Sequence, residues 1–277
     1  MTKNKKKISR IIVYGILIII SAIMVIPFLW MLSASIKTDT EVFNMNPFVW
    51  IPEEPRWENY GKVWTKIPFG TFFRNTFIVT IVSTILQVFT SSFAGYSFAK
   101  LDFAGKNKIF LAYIATIAIP WQVYMVPQFL MMRKMGMNDS LVALICLQAF
   151  SAFGVFLIRQ FYMGIPDSLC EAARIDGMSE YGIYAKIMLP LSKPAISTLT
   201  IFTFVAVWND FLGPLIYLRS TEKKTIQLGL KLFVGQYATD YNLIMAGSVM
   251  SLIPVIIVFL FLQKYFVEGI ANTGIKG

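Results

Sequence analysis

Six stretches of this chain run without a charged side chain for long enough to cross a bilayer: 11–36, 75–99, 109–132, 140–158, 194–218 and 241–263, the fifth with the single exception of Asp210. Each holds roughly 19 to 26 residues, and about 20 apolar residues in a helix cover the hydrocarbon core. The runs are continuous, without the alternation of lipid-facing and lumen-facing residues that a closed barrel needs, so a β-barrel is excluded. The fold class read from this pattern is an all-α integral membrane protein of six transmembrane helices, organised as one transmembrane domain over 1–277. Composition agrees: 56% of residues are hydrophobic and 14% charged, against about 25% charged in a soluble domain.

The net charge of +10, from 25 Lys and Arg against 15 Asp and Glu, would raise the question of nucleic acid on a soluble chain. Beside membrane helices, basic residues instead fix orientation and meet anionic headgroups. No long basic face interleaved with exposed aromatics is present, so no nucleic-acid partner is expected. The absence of histidine excludes His-based catalysis and His metal sites. Cys146 and Cys170 have neither the number nor the spacing of a disulfide framework or a CxxC site. No catalytic residue, metal site or cofactor is therefore assigned to the chain.

Lys3, Lys5, Lys6, Lys7 and Arg10 precede the first stretch, which is too long for a signal peptide and lacks a small-residue cleavage site after it. The basic cluster places the N-terminus in the cytoplasm, and six spans return the C-terminus to the same side. The loops 100–108 and 159–193 are then cytoplasmic. Lys100, Lys106 and Lys108 agree with this, whereas four basic residues in 219–231 fall outside. Pro27, Pro120, Pro127, Pro214 and Pro254 lie inside spans and predict kinks or local unwinding, though membrane helices also tolerate proline. Ser91, Gly95 and Ala99, at intervals of four, put small residues on one helical face and suggest close packing. In the external segment 37–74, Pro47, Pro52, Pro55 and Pro68 alternate with Trp50, Trp57, Tyr60 and Trp64. These aromatics suit the membrane interface or an external partner.

The segment 165–177 is the most informative. Ser168 and Glu171 have capping-box spacing, so a short helix is expected from Ser168, ending at Gly177 as a left-handed cap. An amphipathic segment, 179–189, follows and is expected to end at Pro190. Small Ala172 and Ala173 would admit this projection to a groove on another protein, while Glu171 and Asp176 offer carboxylates to basic partners. The residues equally allow a solvated hairpin that merely joins two spans.

Glu171-Ala172-Ala173, Asp176-Gly177, Leu189-Pro190-Leu191 and Pro194 resemble the EAA loop of the inner-membrane permeases of binding-protein-dependent ABC importers. The resemblance runs almost end to end. Trp57-Glu58-Asn59-Tyr60, Trp208-Asn209-Asp210-Phe211 with Pro214-Leu215, and Gly269 with Gly274-Ile275-Lys276-Gly277 are similar to the MalG-like branch of sugar permeases. Met178 stands where a small residue is common. The resemblance implies a carbohydrate importer, with oligosaccharide as the expected cargo, in a bacterial-type inner membrane. It further implies a second, MalF-like permease, a cytoplasmic ABC ATPase dimer, an extracytoplasmic sugar-binding protein and surrounding membrane lipid. Glu171, Ala172, Ala173, Asp176, Gly177, Leu189 and Pro190 would couple to the ATPase. ATP and Mg would belong to that partner, since Gly105-Lys106-Asn107 lacks the upstream glycine and hydroxyl residue of a phosphate loop.

Trp208, Asn209 and Asp210 are expected on the sugar pathway, with Gln122 and Gln128 as weaker candidates. A carboxylate inside an apolar span should face water, a partner helix or substrate. Trp208 suits either sugar stacking or interface packing. Asp210 suits either the pathway or a structural role as a satisfied pair or cap near Pro214, and the glutamines either the pathway or interhelical hydrogen bonds. A secondary transporter would carry internal repeats and more intramembrane ionisable residues. An intramembrane hydrolase would need an activated nucleophile or paired acids, and neither Cys146 nor Asp210 has an evident partner.

Overall fold

The computed structural model describes residues 3–44, 49–235 and 239–274, with side chains over 10–44, 49–235 and 239–265. Of the tail motif, Ile275-Lys276-Gly277 lies outside the described residues, as does Pro47. The principal helices are α1 (Lys3–Ser35), α2 (Glu58–Lys66), α3 (Phe69–Lys100), α4 (Lys106–Ala115), α5 (Trp121–Lys134) and α6 (Leu141–Gln148). They continue with α7 (Ala152–Met163), α8 (Ser168–Ile175), α9 (Glu180–Ile183), α10 (Lys193–Trp208), α11 (Leu212–Tyr217) and α12 (Tyr241–Gly274). Among the described residues the only β-pairing is an isolated bridge between Val234 and Thr239.

Among the described residues, four uninterrupted or gently broken runs are long and apolar enough to cross a membrane: Arg10–Ser35, Phe69–Lys100, Leu141–Met163 and Tyr241–Tyr265. Two bent pairs, Lys106–Ala118 with Trp121–Lys134 at 101° and Glu180–Leu191 with Lys193–Trp208 at 78°, bring the number to as many as six.

The third, fourth and fifth spans are thus not the continuous helices that hydropathy predicts. In the third, Ile119 is extended before Pro120, because the proline ring drives its predecessor out of the α region, and α5 restarts immediately after. The fourth breaks at 149–151 and restarts where the Ser151 hydroxyl accepts from Gly154 N–H. It then runs beyond the expected end at Ile158, through Arg159. That guanidinium donates to Phe98 O at 3.1 Å and lies 4.0 Å from the Phe110 ring centroid, so its charge is held against α3 and α4. The fifth breaks at 209–211, before α11, which contains Pro214. Pro27, Pro127 and Pro254 sit inside uninterrupted helices.

The chain forms two compact units. In the first, residues 1–69 and 229–253, α1 ends at a set of carbonyls that need partners. Asn59 Nδ2 donates to Ser35 O and Lys37 O at 3.0 and 2.8 Å, and Tyr60 OH lies 2.8 Å from Ser35 Oγ. The Trp-Glu-Asn-Tyr motif therefore acts as a clamp on the end of α1. Asn242 adds a bond to Lys37 O, and Lys66 pairs with Asp240 at 3.0 Å.

The second unit, residues 70–228 and 254–277, packs α3 against α7 as the small-residue stripe suggests. A Cβ placed on Gly95 would sit 2.9 Å from Ile158 Cγ2 and 3.1 Å from Arg159 N, and one on Gly154 would collide with Ser91. Backbone contact this close leaves room for nothing larger. Gln87 Nε2 donates to Thr203 Oγ1 at 2.8 Å and ties α3 to α10.

Candidate functional site

Helix α8 starts at Ser168, as expected, but without the expected capping box. Asp167 already has helical φ and ψ, and its carbonyl accepts from Cys170 N and Glu171 N, so Ser168 is the first helical residue and forms no capping box with Glu171. The Asp167 carboxylate instead meets Lys100 Nζ at 2.5 Å.

The other end of α8 matches expectation. Gly177 has φ +78°, Gly177 N donates to Arg174 O at 3.0 Å and Met178 N to Ala173 O at 2.9 Å. This is the paired bonding of a Schellman cap, with Met178 packed on the core as its hydrophobic closure.

Helix α8 is two-faced. Cys170 and Ala173 are buried with Tyr96, Ile158, Tyr162, Met188 and Leu199, so the close approach that Ala173 permits is made inside this chain. Leu169, Glu171, Ala172, Ile175 and Asp176 are exposed, Ile175 at 86%. The 165–180 segment is lashed to the end of α3. Lys100 Nζ also donates to Ile165 O at 2.6 Å, Arg174 Nε to Glu180 Oε1 at 2.7 Å, and Tyr96 OH to Glu180 Oε2 at 2.6 Å. The Arg174 hydrogen bond holds Glu180 below the usual carboxylate range against an opposing effect of burial. The Lys100 hydrogen bond does the same for Asp167, and burial pushes the Cys170 thiol up.

Pro190 does not end the following segment. After α9 the backbone widens into a π-turn, Tyr184–Met188, and helical structure continues through Leu189–Leu191. A wider turn accommodates the missing donor and the ring of Pro190, and the sharp bend falls at Ser192 instead. Leu189 is half-buried and Pro190 exposed. Both border an apolar groove of about 530 Å³ against α3.

Within the spans, the three backbone breaks converge. A cavity of about 350 Å³ is bordered by Trp121, just after the first break, by Gln148 and Phe150 at the second, and by Asp210 and Gly213 at the third. Tyr124, Gln128 and Tyr217 complete its polar wall. Non-helical backbone at membrane depth is tolerated where it lines a cavity or is buried in protein. A second cavity of about 300 Å³ shares Gln148 and Phe150 and reaches Gln87, Ser151 and Thr203.

Of the predicted pathway residues, Gln128 and Asp210 meet here. Gln128 Oε1 accepts from Trp121 Nε1 at 2.8 Å and from Tyr217 OH at 3.3 Å. Asp210 Oδ1 accepts from Gly213 N–H at 3.0 Å across the break, and its side chain shares the cavity wall with Gln148. It thus both satisfies the start of α11 and borders the cavity. Asn209 is exposed and bonds Val205 O and Gln227.

Two placements differ from the sugar-contact expectation. Trp208 is 1% exposed, stacked on Phe204 and edge-on to Phe73, so its ring has no free face in this conformation. Gln122 is exposed but does not border the cavity. The residues missed were Trp121, Tyr124, Gln148 and Tyr217. The signal was helical spacing: Trp121, Tyr124 and Gln128 share a face at i, i+3 and i+7, and Gln122 lies off it.

The model of a known family, the binding-protein-dependent transport system inner membrane component, matches residues 4–272. The chain is 36% identical over 278 residues to the arabinooligosaccharides transport system permease protein AraQ of Halalkalibacterium halodurans, covering 99% of this chain and 100% of the relative. It is 32% identical over 289 residues to the polygalacturonan/rhamnogalacturonan transport system permease protein YtcP of Bacillus subtilis, with 99% and 100% covered. A chain in the crystal structure of a bacterial ABC transporter involved in the import of the acidic polysaccharide alginate superposes with a TM-score of 0.82. It is 28% identical, with 96% of this chain and 99% of that chain covered. With its apolar spans, broken helices and lashed loop, this chain belongs to the binding-protein-dependent inner-membrane components, and is a permease subunit of an ABC importer rather than its ATPase.

Proposed function

We propose that this subunit provides half of an oligosaccharide pathway, with a MalF-like second permease facing it and both compact units forming one permease domain. An external sugar-binding protein delivers cargo to the cavity between the broken helices. An ATPase dimer, with ATP and Mg, receives the exposed face of α8 through Glu171, Ala172, Ile175 and Asp176. Both termini and the α8 loop then lie in the cytoplasm. The outward apolar faces of α1 meet lipid and the second permease.

The observation that supports this most is the two-faced α8. Its inner face is built into the packing of α3, α7 and α10, and its outer face is exposed. Lys100, Tyr96, Arg174 and Glu180 bind the loop to α3. A push on α8 therefore moves α3, α7 and α10 together. Gln87 on α3 and Thr203 on α10 border the second cavity, so rigid-body movement of these helices would change its shape and access. No proton transfer or covalent step is required of this chain.

The test is uptake by the complex of this chain with its partner subunits in sealed proteoliposomes. Accumulation of labelled oligosaccharide that requires ATP on the ATPase side and binding protein on the other is the expected result. Uptake driven by a proton or sodium gradient without ATP would overturn the reading.

A further inference from the structure

The relatives span both charge classes of sugar: one is named for arabinooligosaccharides, one for polygalacturonan, and the superposed transporter for alginate. Family membership therefore leaves the charge of the cargo open, whereas the cavity chemistry bears on it directly. Among the described residues bordering the two cavities there is no Lys or Arg, and there is one carboxylate, Asp210.

We infer that the cavity of this subunit selects neutral oligosaccharides and rejects uronate-bearing ones, with Asp210 as a specificity-determining residue. This rests on the reading of the cavity as part of the sugar pathway. A uronate entering it would lose hydration without gaining a cationic partner from these walls, and would face the like charge of Asp210 at short range in a medium of reduced dielectric. A neutral sugar meets no such penalty. Its hydroxyls both donate and accept, matching the amides of Gln128 and Gln148 and the acceptor oxygens of Asp210. Gln128 Oε1 is already occupied by Trp121 Nε1 and Tyr217 OH, which leaves the amide nitrogen as the group it offers. The apolar faces of a sugar ring fit the accessible aromatic surfaces of Trp121 and Tyr124.

The test is equilibrium binding to the assembled permease–ATPase complex in nanodiscs without the binding protein, which would impose its own selectivity. The probes are arabinotriose and trigalacturonate, of equal ring number and opposite charge class. Arabinotriose should bind about thirtyfold more tightly, the factor that like charges about 8 Å apart generate at an effective dielectric of about 20.

Asp210→Asn keeps a side chain that serves the start of a helix equally well, and should narrow the gap chiefly by improving trigalacturonate binding. Gln148→Arg places a cation on the wall shared by both cavities and should narrow it further. Equal or tighter binding of trigalacturonate to the unaltered complex would overturn the inference while leaving the sugar-importer reading intact. So would a preference that neither substitution changes. Failure of a wider panel of neutral and acidic oligosaccharides to bind, or to stimulate ATP hydrolysis once binding protein is added, would overturn the sugar-pathway reading and the inference together.

Discussion

Replacing Gly177 separates two reasons for a glycine at the end of α8. Its φ of +78° belongs to the left-handed region, and a Cβ built there meets nothing within 4 Å. Within this chain the constraint is therefore conformational. Alanine in that region costs about 1–2 kcal/mol and asparagine much less, while a β-branched valine is the least tolerated. A cost of one to two kcal/mol changes the ratio of capped to frayed helix ends by about 5–30-fold. Because Gly177 N and Met178 N close the α8 cap, fraying there frees Ile175 and Asp176 from their fixed placement. The assay is recovery of ATPase with the tagged subunit, followed by sugar-stimulated ATP hydrolysis, at matched expression. Asn should remain near the parent, Ala fall below it and Val fall furthest. If Asn fails as badly as Val, the glycine is needed for close approach of another protein and the conformational reasoning is refuted. If Val matches the parent, the left-handed cap is unnecessary.

Asn59→Ala removes two bonds to the carbonyls at the end of α1 and should destabilise the first unit by about 1–3 kcal/mol, read as a lower unfolding temperature in detergent. Gly95→Leu drives a side chain into Ile158 and the Arg159 backbone and should cost about 1–3 kcal/mol, whereas Gly61→Ala, in open space on α2, should be neutral or stabilising by up to ~1 kcal/mol; thermal unfolding of both variants checks the contrast. The folded pKa of Glu180 is depressed by Arg174, so its stabilising contribution is present above the ordinary carboxylate pKa and lost as pH falls through the lower folded value. The melting difference between the parent and Glu180→Gln should therefore be largest near neutral pH and vanish under acid; a difference independent of pH would contradict the lash.

The uninterrupted spans were legible because their helices are apolar from end to end. Hydropathy measures transfer into lipid and is blind to backbone direction, so the break at 149–151 was hidden inside apolar sequence, whereas that at 209–211 was signalled by Asp210 and Pro214. Pro120 and Pro214 gave partial warning. Pro127 gave a similar warning with no break, since a membrane helix absorbs a single missing donor. The α8 cap was readable because Gly177 performs a local backbone task. The start of α8 at Ser168 was readable too, but not its capping: Asp167 takes the cap position and its carboxylate is engaged by Lys100, 67 positions away, a contact that no local motif records. Trp208 and Gln122 drew attention by residue type, whereas the cavity wall is set by helical phase and by a break that brings Gln148 to Asp210.

The coupling claim is tested most directly by single-cysteine crosslinking in the complete complex, in a background with Cys146 and Cys170 replaced. Cysteine at Ile175 should crosslink efficiently to the ATPase subunit and change in yield between nucleotide-free and ATP-bound states, while cysteine at Ile51, in the segment placed outside, should give no ATPase adduct. An ATPase crosslink from Ile51 and none from Ile175, in a complex that hydrolyses ATP normally, would contradict the account.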